Sequence, residues 1–87
     1  MKLEDFDLAE FMQDVGRAGV SMMVRVDHER MGPGRRPWTV VLRGPQVGDR
    51  GVMRLDYRRL EECLDAVVEQ LRAIPGDWEW LELYGWD

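Results

Sequence analysis

The chain has 87 residues, of which 45% are hydrophobic and 33% charged, with a formal net charge of −5. This composition is typical of one small globular domain and excludes a disordered segment. No apolar run approaches the roughly 20 residues that a membrane-spanning helix needs, and acidic residues stand near the N-terminus where a secretory signal would be apolar, so we expect a cytoplasmic protein with no membrane partner.

The first predicted element is a helix over about residues 7–16. Asp7 and Glu10 have the spacing of a capping box, in which the N-cap side chain accepts a hydrogen bond from the third helical residue. Phe6 and Phe11 occupy the two positions of a hydrophobic staple. Apolar residues then recur at helical intervals until two glycines interrupt the pattern, so the helix should present one apolar face to a core.

Three strands are predicted next. Residues 20–26 and 38–43 alternate between apolar and polar side chains, which indicates half-buried strands, and a loop rich in glycine and proline separates them. Residues 52–55 form a short third strand. The connections are too short for parallel crossovers, so the sheet should be antiparallel.

A longer helix is predicted over about residues 57–74, with Asp56 as its N-cap. Its apolar side chains form one stripe, and Cys63 lies within the helix as a small buried hydrophobic residue. The order α-β-β-β-α therefore predicts a single α+β domain over residues 1–87, in which two helices pack on one face of a three- or four-stranded antiparallel sheet and an aromatic tail follows.

The C-terminal tail, residues 77–87, could form a fourth strand or an aromatic clasp. We expect Trp78 and Trp80 to seal the core, because a buried aromatic side chain removes about 150–250 Å² from water. We expect Tyr84 and Trp86 to contact a partner, since chain ends are usually loosely packed and these residue types dominate binding hot spots.

Charge is segregated along the chain. Residues 1–16 carry a net charge of −4, residues 17–59 carry +6 and residues 60–87 carry −7. The middle of the chain is therefore basic and both ends are acidic. Such asymmetry points to charged partners, and pairing of these charges on a solvated surface is the alternative.

Little in the sequence suggests catalysis. The cluster Asp27-His28-Glu29 contains the only histidine, but neighbouring residues on a strand point to opposite faces and cannot converge on one ion. Ser21 and Cys63 lie in no nucleophile motif, and a lone cysteine can form neither an internal disulfide nor a thiolate metal site. We predict no catalytic residues, no metal, no cofactor and no enzymatic activity.

The element order resembles the double-stranded RNA-binding domain over residues 5–74. The resemblance is carried by Gly32-Pro33-Gly34-Arg35 between the first two strands, by the aromatic-led Trp38-Thr39-Val40-Val41, and by Arg58-Arg59 near the second helix. The resemblance implies the α-β-β-β-α topology of that family, and it implies duplex RNA as a partner. The chain departs from the family pattern, because no histidine follows Gly32-Pro33 and acidic residues follow the two arginines.

Two functions follow as expectations. The first is a small, acidic, non-enzymatic protein-binding module of the inhibitor, immunity or accessory type, such as a phage- or mobile-element-encoded, anti-CRISPR-like inhibitor of a nucleic-acid-handling enzyme. One arginine from each strand would point away from the helices and contact the partner: Arg25, Arg43 and Arg54. The alternative is nucleic-acid binding through the central basic segment: Arg30, Arg35, Arg36, Arg58 and Arg59. A homodimer through a sheet edge or the aromatic tail is also open.

Overall fold

The computed structural model describes residues 5–86. It confirms the predicted α+β class, with three strands in this range, and no helix in it is long and apolar enough to cross a membrane. The elements are α1 (Leu8–Arg17), β1 (Ser21–Val26), a short 3₁₀ turn (His28–Arg30), β2 (Trp38–Arg43), β3 (Val52–Tyr57), α2 (Leu60–Arg72) and a C-terminal 3₁₀ helix (Glu79–Tyr84).

The sheet is antiparallel in the order β1-β2-β3, and its register has no interruption. At one end Val26 pairs with Trp38, which pairs with Tyr57. Both helices pack against the same face of the sheet, and the fully buried residues of β2, Val40 and Leu42, point into the core beneath them. Among residues 5–86, no helix covers the opposite face.

Helix α1 begins where local signals place it. The Asp7 side chain accepts a hydrogen bond from the Glu10 backbone at 3.0 Å, and the Phe6 and Phe11 rings lie 5.3 Å apart between centroids. Phe11 and Val15 are fully buried. The predicted cap, staple and apolar face are confirmed, because each depends on residues within one or two turns.

The predicted start of the second helix is wrong. Strand β3 continues to Tyr57, and α2 begins at Leu60 with Arg59 in the N-cap position and no side-chain cap. Asp56 does not cap the helix, because its carboxylate accepts a hydrogen bond from Thr39 Oγ1 at 2.6 Å across the sheet. Cys63 is fully buried, as expected.

The tail forms a 3₁₀ helix instead of a strand. Trp86 was expected to be loosely packed, and this is wrong, because only 8% of its surface is exposed. Its ring centroid lies 5.6 Å from that of Phe6 and 5.3 Å from that of Phe11, and its Nε1 donates to Asp65 on α2 at 2.9 Å. Trp86 therefore joins α1 to α2 inside the core.

Candidate interaction surfaces

The face of the sheet that carries no helix is the first candidate surface, and we call it the open sheet face. The register arranges its side chains in three rows across the strands. The rows are Ser21–Arg43–Val52, Met23–Val41–Arg54 and Arg25–Thr39–Asp56.

The middle of the open sheet face is apolar. Met23 is 62% exposed and lies directly across from Val41, which is only partly buried. Val52, at the edge of the same face, is 44% exposed. Side chains directly opposite each other in a sheet are in contact distance, so Met23 and Val41 form an apolar strip that water covers in the isolated chain. Val52 lies opposite Arg43, in the neighbouring row.

The three arginines proposed from the sequence as partner contacts lie in the rows of this face. Arg25, Arg43 and Arg54 are all exposed. Arg54 is held by Asp56, with 3.1 Å between Nε and Oδ2. Arg25 and Arg43 form no ion pair with any carboxylate among residues 5–86.

A polar network fixes one end of the open sheet face. The Thr39 hydroxyl, which is 3% exposed, donates to Asp56. Hydrogen bonds from Arg54 and Thr39 lower the pKa of the Asp56 carboxyl, and the bond to Asp56 raises the pKa of Arg54. The sequence did not indicate this network, because its members come from different strands.

Arg30 belongs to the same network and is not free for nucleic acid as the sequence suggested. Its Nε lies 3.3 Å from Asp27 and its Nη1 lies 3.4 Å from Asp56. Asp27 also accepts a hydrogen bond from the Glu29 backbone, which lowers the pKa of its carboxyl. Arg30 is therefore an internal cross-link between the 3₁₀ turn and β3.

The other predicted nucleic-acid residues gather at one end of the molecule, which we call the basic end. The register places the loop after β1 and the start of α2 at the same end of the sheet. Arg59 pairs with Glu61 at 2.7 Å, whereas three others are exposed and form no ion pair with a carboxylate among the described residues. These three are Arg35, Arg36 and Arg58.

The surface between α1 and the C-terminal 3₁₀ helix is acidic. A cleft of about 420 Å³, which we call the acidic cleft, lies between α1 and the C-terminal 3₁₀ helix. The residues that line it are Asp5, Phe6, Asp7, Glu10, Asp14, Leu83, Tyr84 and Gly85. Tyr84 is not a free contact residue, because its hydroxyl donates to Asp14 at 2.5 Å. That bond lowers the pKa of Asp14, while burial and the same bond raise the pKa of Tyr84. Leu83, which the sequence did not single out, is 85% exposed.

Reactive groups do not converge in the described part of the chain. His28 is exposed on the 3₁₀ turn and Ser21 is exposed on β1. Burial raises the pKa of the Cys63 thiol to about 11, so the thiol stays protonated at neutral pH. Residues 5–86 contain no group of three His, Cys, Asp or Glu side chains that could hold a metal ion.

No protein-family model matches the chain, and no curated protein or solved structure matches it either. The resemblance to the double-stranded RNA-binding domain therefore rests on the order of elements and the residues quoted above, and its functional part stays a prediction.

Proposed function

We propose that this protein is a non-enzymatic, cytoplasmic protein-binding module of the inhibitor, immunity or accessory type. The observation that carries the proposal is the open sheet face, where Met23 and Val41 form an apolar centre between arginines. Arginine and methionine are enriched in protein interfaces. An antiparallel sheet normally turns a polar face to water, so an apolar centre favours a protein that covers it.

The distribution of charge supports a specific class of partner. Part of the segregation along the sequence is kept between the two layers of the fold. Three arginines and one aspartate lie on the open sheet face, whereas carboxylates outnumber arginines on α1, α2 and the C-terminal 3₁₀ helix. A layer of exposed carboxylates attracts basic surfaces and raises the rate of association with them. We propose a nucleic-acid-handling enzyme, whose basic groove the acidic layer would enter in place of phosphates, as a phage-encoded, anti-CRISPR-like inhibitor would.

The proposal is tested by affinity capture from nuclease-treated lysate, with charge-reversed variants of matched exposure. Arg43→Glu changes the open sheet face, whereas Arg50→Glu changes an exposed arginine in the loop between β2 and β3. We expect a captured protein to be lost with Arg43→Glu and retained with Arg50→Glu. Loss with both variants or with neither, or no captured protein, would refute a role for the open sheet face.

Duplex RNA binding is the second candidate, and the gathering of Arg35, Arg36 and Arg58 at the basic end favours it. Its test is fluorescence anisotropy with duplex RNA and DNA at low and moderate salt, because phosphate contacts weaken steeply as salt rises. Salt-sensitive binding that the double variant Arg35→Glu/Arg36→Glu abolishes would make this the leading function. Absence of binding at low salt would remove it.

A further inference from the structure

Strand β1 has a free edge. The strand order places β1 at the side of the sheet, paired only with β2. Among residues 5–86, no backbone group outside the sheet hydrogen bonds to residues 21–26. A free edge of this kind presents a row of N–H and C=O groups that matches the edge of another strand.

This edge also lacks the features that usually prevent strand pairing. Proteins protect edge strands with prolines, bulges or charged side chains. Residues 21–26 contain no proline, pair with β2 without a bulge, and carry one charge, Arg25. The other edge strand, β3, carries Arg54 and Asp56, which are bound to each other. β1 is therefore the edge on which another strand can most readily be added.

Apolar side chains along β1 are covered less well than their neighbours. On the helix side, Met22 and Val24 pair with Leu42 and Val40, and the β2 residues are fully buried while the β1 residues are only partly buried. On the open sheet face, Met23 is 62% exposed. A strand placed beside β1 would remove apolar surface from water on both faces.

We propose that β1 pairs with β1 of a second copy of this chain, in antiparallel orientation, about a two-fold axis at Met23. The argument for a second copy is that β1 is complementary to itself in this register. The axis places Met23 opposite Met23, Met22 opposite Val24, and Ser21 opposite Arg25. Residues of the same face meet in every pair, which strand pairing requires, and no like charges lie opposite each other.

The dimer has a continuous sheet of six strands. Both sets of helices lie on one side, and the open sheet faces join on the other. Met23 from each copy then connects Val41 of one copy to Val41 of the other, so the apolar strip doubles in length across the axis. This inference does not rest on the proposed function, because it concerns the purified chain alone.

The test is sedimentation equilibrium of the full chain over a range of concentrations. We expect a monomer–dimer equilibrium that Met23→Lys weakens at least about tenfold, since this change places two like charges opposite each other at the axis and removes two methionine side chains from the apolar contact. The matched control is Val52→Lys, which alters an exposed apolar residue of the same face on the other edge strand and should leave the equilibrium unchanged. Circular dichroism of each variant verifies that the fold is intact.

Mixing variants tests the register. Met23→Lys and Met23→Glu should each be monomeric at concentrations where an equimolar mixture forms a heterodimer, because opposite charges then meet at the axis. A wild-type chain that stays monomeric up to about 1 mM would overturn the proposal. So would a dimer that Val52→Lys weakens as much as Met23→Lys does, which would indicate stacking of the open sheet faces. A mixture that fails to associate would overturn the two-fold axis at Met23.

Discussion

Replacement of Trp86 by alanine should remove a large part of the stability of this domain. The side chain is 8% exposed, contacts the rings of Phe6 and Phe11, and donates a hydrogen bond to Asp65. Replacing a buried tryptophan by alanine costs about 3–5 kcal/mol. The total free energy of unfolding of a small domain is about 5–15 kcal/mol, so the loss is a large fraction of it.

A second variant separates the contribution of the ring from that of its hydrogen bond. Trp86→Phe keeps an aromatic ring in the core but removes the Nε1 donor. Asp65 is exposed and can be solvated by water when the donor is lost, so this change should cost only about 1 kcal/mol for the hydrogen bond, plus a smaller loss of packing.

The assay is urea unfolding followed by far-ultraviolet circular dichroism, with the midpoint and the slope fitted together. The control is Leu83→Ala, because Leu83 lies in the same segment but is 85% exposed, and exposed substitutions usually change stability by less than about 0.5 kcal/mol. If Trp86→Ala and Leu83→Ala differ by less than about 1 kcal/mol, the packing of the tail against α1 described above is incorrect.

Three further outcomes are expected. Asp56→Ala leaves the buried Thr39 hydroxyl without its acceptor and should lower the free energy of unfolding in urea by about 1–3 kcal/mol. The control Asp49→Ala, in the exposed loop, should lower it by less than about 0.5 kcal/mol. Equal losses in the two variants would contradict the network. The pKa values of Asp14, Asp27 and Asp56 are lowered below 3.8 in the fold, so their contribution is present above that pH and is lost as the pH falls through the lowered values. Urea titrations from pH 6 to pH 2 should show this loss, and a smaller one in Asp56→Asn; the same loss in both would remove Asp56 from the effect. The Cys63 thiol should react with Ellman's reagent only as fast as the domain unfolds, since it is fully buried with a pKa of about 11; rapid labelling of the folded protein would contradict its burial.

Elements that depend on neighbouring residues could be predicted from the sequence. Helix α1 is determined by a cap and a staple within one or two turns, and β2 by a simple alternation. The boundary between β3 and α2 could not be predicted, because Asp56 is a favourable N-cap by its chemistry. What places it in the strand is contact with Thr39 and Arg30, which are far away along the chain.

The positions of some residues on the interaction surfaces could also be predicted from the sequence, and those of others could not. Strand alternation was enough to place Arg25 and Arg43 on the face away from the helices. The same reasoning could not show that Arg30 is held by two aspartates, nor that Trp86 is buried while Leu83 is exposed. Each of these depends on how the loop after β1 packs against the sheet and how the C-terminal segment packs against α1. Such long-range packing cannot be predicted from a local sequence pattern.

The packing of Phe6 and Phe11 against Trp86 has a consequence for how the chain folds as it is synthesised. These contacts join the two ends of the described chain, and contacts between distant residues slow folding because a long loop must close first. While the tail is still inside the ribosome, α1 lacks the ring that closes its side of the core, and its aromatic residues are exposed to other proteins. Folding of this domain should therefore be completed only after residue 86 has left the ribosome.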